Sequence, residues 1–448
     1  MLHDPPKASS VHRGELLAAF SYALDITEGQ PEGHCIRACW IGMQVGRALG
    51  LDERDLGDLY YTVLLKDLGC SSNAARICEL YDADDRAFKR GYKTVGTSLA
   101  ATIHFVFSRT ARGKPLHRRV AAIGNILANG GAVAQELILS RCTRGADIAR
   151  SLRFPAEVCN AIYHLDEHWD GSGRPGRLRG TGIPLYSRIA LLAQVADVFH
   201  AHAGRQASMD EVRRRSGSWL DPEVAAAFEV VAADDSFWAM LVSPLLPAMV
   251  VALAPTQDVV PIDEAYLDSI AAAFGQVIDA KSPFTSGHSQ RVADYAFAMA
   301  GKMGLDPGRA RSLRRAAFLH DVGKLGVSSA VLEKPAGLDD REWVEMRHHA
   351  EHTRMILSRI SAFESVADIA AAHHERLDGC GYPRRLGSEQ IEVETRIITV
   401  CDYYDALTAD RPYRAAMSRE EALAVMGGAV GTALDADCFE MLRAEVAG

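Results

Sequence analysis

The chain has 448 residues, of which 48% are hydrophobic and 24% are charged, and its formal net charge is −9. This length exceeds one ordinary core and predicts two domains or one duplicated unit. The negative charge and a pI of about 6.0 exclude a nucleic acid polymer and an anionic membrane as expected partners, since both favour basic surfaces. A small phosphate-bearing ligand stays compatible, because one pocket needs only a few cations or a metal.

No segment of the sequence is expected to enter a membrane. Residues 1–15 contain two prolines and no apolar core, unlike a signal peptide. The longest apolar run, 238–255, is interrupted by Pro244 and Pro247 and falls short of the roughly 20 residues that span a bilayer. It predicts a buried element followed by a linker. Nine cysteines without regular spacing indicate reduced thiols, and a cytoplasmic location is expected.

Hydrophobic residues recur at helical spacing along most of the chain. Segments 262–278, 292–303 and 342–357 have this pattern. The clearest helix face is formed by Ile397, Val400, Cys401, Tyr404 and Leu407. No convincing series of alternating strands and turns appears. The sequence therefore predicts an all-α protein.

An internal repeat organises these helices. Five short motifs occur twice in the same order, at 33–37 and 287–291, 64–69 and 318–323, 167–175 and 375–383, 195–199 and 400–404, and 217–221 and 431–435. Five ordered matches indicate a tandem duplication. We predict two tandem helical bundles, a first copy at residues 12–254 and a second copy at residues 262–448. The linker is expected near 254–261.

The two copies differ in length between the second and third motifs. Asp67 and Asp170 are 103 residues apart, whereas their counterparts Asp321 and Asp378 are 57 residues apart. The first copy is therefore expected to carry about 46 additional residues, which this comparison places within 76–150.

The second copy distributes imidazole and carboxylate groups over an apolar helical frame. These groups are His288, His320, Asp321, His349, His373, His374 and Asp402. Such donors suit Fe, Mn or Zn, whereas Mg prefers an oxygen-dominated shell. Seven side chains exceed the needs of one ion, and Asp321 can bridge two ions through its two oxygens. Two metals about 3.5–4 Å apart would hold a phosphodiester and activate a water or hydroxide.

Over nearly its whole length, the second copy resembles the HD-GYP family, a subset of the HD-domain phosphohydrolases. The matching motifs are His-Ser-x-Arg-Val from His288, His-Asp-x-Gly-Lys from His320, His-His-Glu-Arg-x-Asp-Gly-x-Gly-Tyr-Pro from His373, Asp-x-Tyr-Asp-Ala-Leu-Thr from Asp402, and Arg-Pro-Tyr-Arg from Arg411. By this resemblance one metal takes His288, His320, Asp321 and Asp402, and the second takes Asp321, His349, His373 and His374.

Two departures from the family pattern refine this expectation. Phe284 stands where family members with a third metal carry a Glu, so two ions, Fe or Mn, are expected. Thr353 stands where the family usually has Gly, and it should be tolerated in a helix.

The resemblance implies a phosphodiesterase that converts cyclic di-GMP to linear pGpG, and it leaves open whether GMP also forms. Asp321 would hold both ions, and a hydroxide activated by the two metals would be the nucleophile. Another cyclic dinucleotide, such as cyclic GMP-AMP, is the alternative substrate, because the bases are read outside the shared motifs. A nucleotide-binding regulatory or interaction protein with little turnover is the third interpretation, and the intact ligand set argues against it.

Four further residues of the second copy are candidates for substrate contacts. Lys324 lies one helical turn beyond Asp321, so its ammonium can reach the scissile phosphate and stabilise charge in the transition state. Arg411 and Arg414 lie three residues apart and are expected to share a face and clamp phosphate oxygens. Tyr382, in the Gly-rich loop 378–383, either faces the substrate or packs the loop. In the family this loop also contacts diguanylate cyclase domains, which are candidate partners.

The first copy lacks much of the ligand set. The substituted positions are Lys66 for His320, Leu165 for His373, Asp166 for His374, Arg174 for Tyr382 and Cys70 for Lys324. His34, Asp67 and Asp197 are retained, with Asp197 aligned to Asp402. We predict that this copy is inactive and that the Lys66 ammonium pairs with Asp67 or Asp197 in place of a metal. Scaffolding, regulation, a homodimer or an intramolecular pseudo-dimer would explain its presence.

Overall fold

The computed structural model of the chain describes residues 13–96, 99–112, 115–255, 262–411 and 414–447. Every regular element in these ranges is a helix, with isolated bridges as the only β pairing, so the predicted all-α class is confirmed. The predicted linker falls largely on residues 256–261, outside the described ranges.

Within the described ranges, twelve α-helices belong to the first copy and nine to the second. The first copy contains α1 (Arg13–Thr27), α2 (His34–Ala48), α3 (Glu53–Leu64), α4 (Ala74–Tyr81), α5 (Asp85–Lys93), α6 (Leu99–Arg109), α7 (Leu116–Ser151), α8 (Ala156–Tyr163), α9 (Leu185–Arg215), α10 (Pro222–Ala232), α11 (Asp235–Leu241) and α12 (Leu246–Ala252). The second copy contains α13 (Glu264–Asp279), α14 (His288–Lys302), α15 (Pro307–Leu319), α16 (Ser329–Leu332), α17 (Asp340–Leu357), α18 (Glu364–Ala371), α19 (Val393–Thr408), α20 (Arg419–Gly427) and α21 (Ala436–Ala447).

Acidic side chains define where several of these helices begin. Asp263 caps α13 and Asp306 caps α15 by accepting backbone N–H groups of the first turn. Asp339 starts α17 in a capping box with Glu342. These caps satisfy amides that have no partner within the helix. The starts of α15 and α17, which carry or precede candidate ligands, are thereby set by local sequence.

Equivalent motifs build the same local contacts in both copies. Glu167 accepts the backbone N–H groups of residues 176 and 178, and Glu375 accepts those of residues 384 and 386. Asp25 accepts the N–H of the residue that follows His34, and Asp279 accepts the N–H of Ser289 in the same way. The repeated sequence thus encodes a repeated local structure.

The additional residues of the first copy include α5, α6 and the N-terminal part of α7. Two glycines fix the correspondence: a Cβ at Gly69 would meet the carbonyl oxygen of Arg141, and a Cβ at Gly323 would meet that of His349. Arg141 in α7 therefore corresponds to His349 in α17. The extra residues precede Arg141 and lie within the range predicted from the motif spacing.

The two copies pack around one continuous hydrophobic core. The rings of Phe20 in α1 and Phe274 in α13 stack with centroids 3.7 Å apart, and the two residues occupy equivalent positions in the repeat. Equivalent residues meet at this contact, as they do at the axis of a two-fold related pair.

No single helix in the described part of the chain is both long and apolar enough to cross a membrane. α11 and α12 reach that length and composition only together, and the chain bends by 105° between them. Trp238, Leu246 and Val250 in this stretch are buried, whereas Val242 and Leu245 are exposed, so the apolar run is buried only in part.

Candidate metal centre

Asp321 lies at the centre of a cluster of imidazoles. It is 1% exposed and follows the end of α15 by two residues. Its Oδ2 lies 3.6 Å from His288 Nε2 and 3.4 Å from His320 Nε2. Its Oδ1 lies 3.6 Å from His349 Nε2 and 3.7 Å from His373 Nε2. One carboxylate therefore stands between two pairs of histidines, and each oxygen faces one pair.

The second ring nitrogen of each of these histidines has its own partner. In His320, His349 and His373, Nδ1 donates to the carbonyl oxygen three residues earlier in the chain. In His288, Nδ1 lies 2.7 Å from Asp405 Oδ2. Since Nδ1 of His320, His349 and His373 donates to a carbonyl oxygen, Nε2 of these three rings is left to face the central carboxylate.

His374 and Asp402 complete the cluster on its open side. The His374 ring lies 5.0 Å from the His349 ring, and Asp402 Oδ1 lies 3.4 Å from His288 Nε2. The Asp402 side chain is 16% exposed. The structure thus brings all seven predicted side chains together, and three overlapping groups of them have ligand atoms within 4.8 Å of one another.

Burial sets the protonation of most of these imidazoles. It lowers the pKa of His349 to about 3 and that of His374 to about 4, and neutral imidazole is the form that binds metals. His288 differs: burial lowers its pKa, but hydrogen bonds to Asp321 and Asp405 outweigh burial and raise the pKa to about 9. A cation bound at Nε2 would take the place of that proton.

The donor set fits two cations. The Nε2 atoms of His288 and His320 are 3.3 Å apart, and those of His349 and His373 are 3.4 Å apart. Two imidazole nitrogens bound to one cation at about 2.1 Å are separated by about 3.0–3.4 Å. Asp321 Oδ1 is buried and has no hydrogen-bond partner among the described residues, so its lone pairs remain for an ion.

The segment after Asp321 is a short 3-10 helix, Val322–Gly326. Lys324 Nζ lies 2.6 Å from Asp321 Oδ2, and the lysine side chain is 19% exposed, so its ammonium lies beside the centre. Thr353 of α17 accepts the Gly323 N–H at 3.0 Å and donates to the His320 carbonyl oxygen at 2.9 Å. This threonine, which we expected only to be tolerated, ties α17 to the segment that carries the central carboxylate.

Tyr382 lies next to the imidazoles. Its ring centroid is 4.7 Å from that of His374 and 6.2 Å from that of His349. Burial raises the pKa of its hydroxyl, so the group stays protonated. The structure therefore places Tyr382 at the edge of the centre.

The expectation that Arg411 and Arg414 share a helix face is wrong. α19 ends at Thr408, and the two arginines form an isolated antiparallel bridge. The Arg414 guanidinium donates to the carbonyl oxygens of Ala406 and Leu407 at 2.7 and 2.9 Å, because the last carbonyls of a helix lack partners within it. Its donors thus cap α19, and the predicted residues 412 and 413 lie outside the described ranges.

Sequence reasoning did not single out Asp405. It accepts the hydrogen bond from His288 Nδ1 and pairs with Arg291, whose Nη2 lies 3.0 Å from Asp405 Oδ2. Burial raises the pKa of this carboxyl, but the hydrogen bonds from His288 and Arg291 outweigh burial and lower it. Asp405 lies three residues after Asp402, nearly one helical turn, and this acidic pair is the signal that could have revealed it.

The first copy contains the equivalent of this carboxylate. Asp197 Oδ2 lies 2.6 Å from His34 Nδ1, and Asp197 Oδ1 lies 2.6 Å from Arg37 Nε. These contacts repeat those of Asp405. Asp197 therefore corresponds to Asp405, and the predicted alignment with Asp402 is wrong.

The corrected register leaves Gln194 in the place of Asp402. The same register pairs Ser187 with Thr395, and each hydroxyl donates to an equivalent carbonyl oxygen of the preceding helix. A slip of three residues preserves the apolar face of a helix, which is why the motif comparison failed. The first copy thus also lacks the carboxylate of Asp402, which the sequence comparison had counted as retained.

Cations surround the central carboxylate of the first copy. Lys66, whose side chain is 1% exposed, contacts Asp67, so its partner is Asp67 rather than Asp197. Arg141, in the place of His349, lies 3.8 Å from Asp67 and 3.3 Å from Asp166. Burial raises the pKa of Asp67, but Lys66 and the other cations outweigh burial and hold that pKa well below its usual value.

Helix α5 of the insertion adds two lysines to this pocket. Lys89 Nζ donates to the Cys70 carbonyl oxygen at 2.6 Å, and Lys93 Nζ lies 2.6 Å from Glu28 Oε2. Burial raises the pKa of Glu28, but the two lysines outweigh burial and lower it to about 2. Glu28, Asp67 and Cys70 are close enough to hold an ion, but protein cations already neutralise their carboxylates.

The HD domain family model matches residues 123–224 and 273–438, which together exceed half of the chain. The chain therefore belongs to the HD domain family, in its HD-GYP branch of cyclic dinucleotide phosphodiesterases.

The 3′3′-cGAMP-specific phosphodiesterase 3 of Vibrio cholerae serotype O1 is 50% identical over 429 residues, covering 96% of this chain and 93% of that relative. A crystal structure of a cyclic GMP-AMP-specific phosphodiesterase from V. cholerae aligns with a TM-score of 0.65 and 44% identity over 97% of both chains. A cyclic di-GMP phosphodiesterase of Pseudomonas aeruginosa is 39% identical over 141 residues, covering 31% of this chain and 34% of that relative.

Proposed function

We propose that the second copy, residues 262–448, hydrolyses one 3′–5′ phosphodiester of a cyclic dinucleotide, and that 3′3′-cGAMP is its preferred substrate. The observation that carries the hydrolytic activity is the position of Asp321, whose two oxygens face two separate pairs of histidines. The preference for 3′3′-cGAMP is supported by the V. cholerae relative, which is 50% identical over 96% of the chain.

Two divalent cations would occupy the centre. His288, His320 and Asp402 would hold one, His349, His373 and His374 would hold the other, and Asp321 would contact both. The mixture of imidazole and carboxylate donors favours Fe or Mn. When bound, such a pair supplies Lewis acidity to the phosphodiester and lowers the pKa of water so that it can act as a nucleophile at neutral pH.

The protein's own side chains orient the ligands and balance charge. Asp405 and Arg291 fix the His288 ring, and helix carbonyls fix three other rings, so the donor atoms are positioned before the substrate binds. Lys324 lies beside Asp321 at the open side, where its ammonium would stabilise negative charge that develops on the phosphoryl oxygens. Tyr382 and Arg411 are proposed substrate contacts, whereas Arg414 would act by holding the backbone after α19.

Cyclic di-GMP is the second candidate substrate. The P. aeruginosa relative, a cyclic di-GMP phosphodiesterase, is 39% identical over 141 residues, a region that can include the shared metal motifs but not the whole chain. Since the metal centre acts on the phosphodiester and not on the base, both substrates fit its chemistry. We expect cyclic di-GMP to be cleaved more slowly than 3′3′-cGAMP.

The first copy, residues 12–254, is proposed to be inactive. Gln194, Leu165, Lys66 and Arg141 stand in the places of ligands, and Lys66 and Arg141 carry positive charge where cations would sit. A metal would have to displace these tethered cations from a buried carboxylate.

The test is to incubate the Mn- or Fe-loaded full chain with 3′3′-cGAMP, cyclic di-GMP and cyclic di-AMP and to follow linear products. We expect 3′3′-cGAMP to have the highest kcat/KM. The variant Asp402→Ala should lose turnover, and the matched variant Gln194→Ala at the equivalent first-copy position should retain it. No hydrolysis of any of the three by the loaded protein would refute the proposal, and a higher kcat/KM for cyclic di-GMP would refute the preference.

A further inference from the structure

Residues 321–329 of the second copy, which we name the lysine segment, carry Asp321 and Lys324. The segment consists of the 3-10 helix Val322–Gly326 and the turn into α16. Short 3-10 helices have poorer hydrogen-bond geometry than α-helices and rarely extend beyond a few residues. The position of Lys324 therefore depends on groups outside the segment.

Several of those groups come from the first copy. Asp85 Oδ1 accepts the backbone N–H of Ser329 at 2.9 Å. The Arg86 guanidinium donates to the carbonyl oxygen of Gly326 and, at 3.0 Å, to Glu345 Oε1. The same oxygen of Glu345 accepts the N–H of Ser328 at 2.7 Å.

The contact of Asp85 lies in a protected environment, whereas the Arg86 and Glu345 side chains are 26% and 35% exposed. Asp85 is fully buried, and Lys281, which donates to the Leu325 carbonyl oxygen at 2.7 Å, is 2% exposed. Hydrogen bonds from charged groups are stronger than neutral ones and are least screened where water is excluded. Asp85 and Arg86, two adjacent residues of the first copy, therefore bind a backbone N–H group and a backbone carbonyl oxygen of the lysine segment.

We infer that Asp85 and Arg86 are positioning residues for the second copy: through them the first copy holds Lys324 and Asp321 in their working geometry. Both residues belong to α5, in the insertion that the second copy lacks. The support therefore runs in one direction, from the copy without the ligand set to the copy that has it. This inference rests on the proposed function for its kinetic consequence and on the contacts alone for its structural consequence.

The first experiment measures steady-state kinetics of Asp85→Ala and Arg86→Ala in the full chain loaded with metal. Displacement of a reacting group by about 1 Å can cost about 100-fold in rate, and we expect kcat to fall by about tenfold to 100-fold with KM within about twofold. Asp85→Asn keeps an acceptor for the Ser329 N–H and should recover part of the loss. Metal content per chain should be unchanged.

The matched control is Arg359→Ala. Arg359 also reaches across the copies, to Glu32 at 2.7 Å, but neither residue contacts the lysine segment in the described structure. We expect its kcat to equal that of the parent chain. An equal loss in Arg359→Ala and Arg86→Ala, or no loss in Arg86→Ala, overturns the inference.

Hydrogen–deuterium exchange gives a readout that needs no turnover. The peptide covering 321–333 should exchange faster in Arg86→Ala and Asp85→Ala than in Arg359→Ala, because the Ser328 and Ser329 amides lose part of their support. If no cyclic dinucleotide is hydrolysed but this exchange increases, the proposed function fails and the positioning contact stands. Unchanged exchange overturns the inference whatever the activity.

An independent observation concerns the outer face of α17. The Arg347 guanidinium lies 5.6 Å from the ring centroid of Tyr382 and 5.6 Å from that of Trp343. Trp343 is 44% exposed, and no carboxylate among the described residues forms an ion pair with Arg347. Together with His374, beside Tyr382, these planar groups form a continuous row from the metal centre to solvent.

The geometry points to a binding site for a purine base of the substrate along Trp343 and Arg347. An exposed indole offers a stacking face that any base can use, and an unpaired guanidinium can stack or donate two hydrogen bonds to the acceptor edge of guanine. A phosphodiester held at the metal centre would have its attached base within reach of this row. This inference deepens the proposed function, since it assigns the recognition of the base.

The test compares Trp343→Ala with Val344→Ala, its exposed neighbour on the same helix. Loss of one base stack weakens binding by about tenfold, so we expect KM for 3′3′-cGAMP to rise about tenfold with kcat unchanged in the first variant and neither to change in the second. Trp343 is the only tryptophan after residue 238, so GMP as a probe should quench emission in the parent chain and less in Trp343→Phe. Unchanged KM in Trp343→Ala overturns the inference, as does equal quenching in both proteins. If GMP quenches the emission but no cyclic dinucleotide is hydrolysed, the binding site is supported and the proposed function is refuted.

Discussion

Asp321 and Asp67 occupy the same position in two copies of one fold, and each is almost completely buried. Around Asp321 the neighbours are four imidazoles, and each has its Nε2 atom facing one oxygen of the carboxylate. Around Asp67 the neighbours are a lysine and an arginine that bring positive charge on their own side chains. A buried carboxylate requires compensation in either case.

The two copies differ in whether the positive charge that neutralises the carboxylate can leave the site. A metal can be bound, can share its coordination with a substrate and can be removed. A lysine attached to the backbone can only neutralise. On the proposed function, the first copy would keep the architecture and the charge balance of the second but lack the open coordination that phosphodiester hydrolysis requires.

Removal of the metals should give the largest difference between the copies. Chelation of the loaded chain should reduce turnover by more than about a thousandfold, because water without a metal keeps a pKa near 15.7. It should also lower the Tm, since a ligand at 100 times its Kd contributes about 2.7 kcal/mol. The variant Asp321→Ala is the control, and its Tm should not respond to the chelator. Turnover that persists in excess chelator would contradict the comparison.

Each central carboxylate has a lysine beside it, Lys66 in the first copy and Lys324 in the second. Replacement of these two lysines should separate an effect on stability from an effect on activity. Lys66→Met leaves Asp67 buried without its nearest cation and should lower the free energy of unfolding by about 3–5 kcal/mol, as measured with denaturant. Lys324→Met in the metal-loaded chain should lower the free energy of unfolding by less, because bound cations would also neutralise Asp321, but it should reduce kcat. If both variants affect only stability, Lys324 has no role in the reaction.

The pair Asp405 and Asp197 tests the support of the first histidine in each copy. Loss of a partner behind a metal ligand costs about 10–100-fold in activity or metal affinity. We therefore expect Asp405→Asn to reduce kcat by that factor and Asp197→Asn to leave kcat within about twofold. Metal analysis alongside kinetics distinguishes weaker binding from misplacement, and equal losses in both variants would place the effect outside the metal centre.

The smallest expected effect concerns acid stability of the first copy. Glu28 has a folded-state pKa lowered to about 2, against an ordinary value of 4.5. Its contribution to stability is therefore present above pH 4.5 and is lost as the pH falls toward 2. Glu28→Gln should be less stable than the parent at neutral pH, and the difference between them should shrink between pH 4.5 and 2. A difference that stays constant over this interval would remove Glu28 from the charge network.

The correction at Asp197 indicates where sequence comparison within the chain reaches its limit. Val195, Ala196 and Asp197 match Val400, Cys401 and Asp402 by residue type, yet the true partner of Asp197 lies one turn later. Both registers keep the apolar face of the helix, so periodicity cannot choose between them. The hydrogen bond to His34 decides, and it joins residues 163 positions apart.

Arg414 shows a second limit. A spacing of three residues predicts a shared helix face only if the helix continues, and α19 stops at Thr408. The Arg414 guanidinium instead donates to carbonyl oxygens at the end of that helix. The sequence shows that a cation is present, but it does not show whether the N–H groups of Arg414 bind a phosphate or the backbone carbonyl oxygens.

From the sequence alone followed the all-α class, the seven candidate ligands and the likeness of the two copies, because helical periodicity and short motifs are local properties. The tertiary structure decided which oxygen of Asp321 faces which histidines, that Asp405 stands behind His288, and that α5 of the first copy reaches the lysine segment of the second. These are contacts between residues as many as 244 positions apart. They depend on how helices pack around a shared core, which no local pattern records.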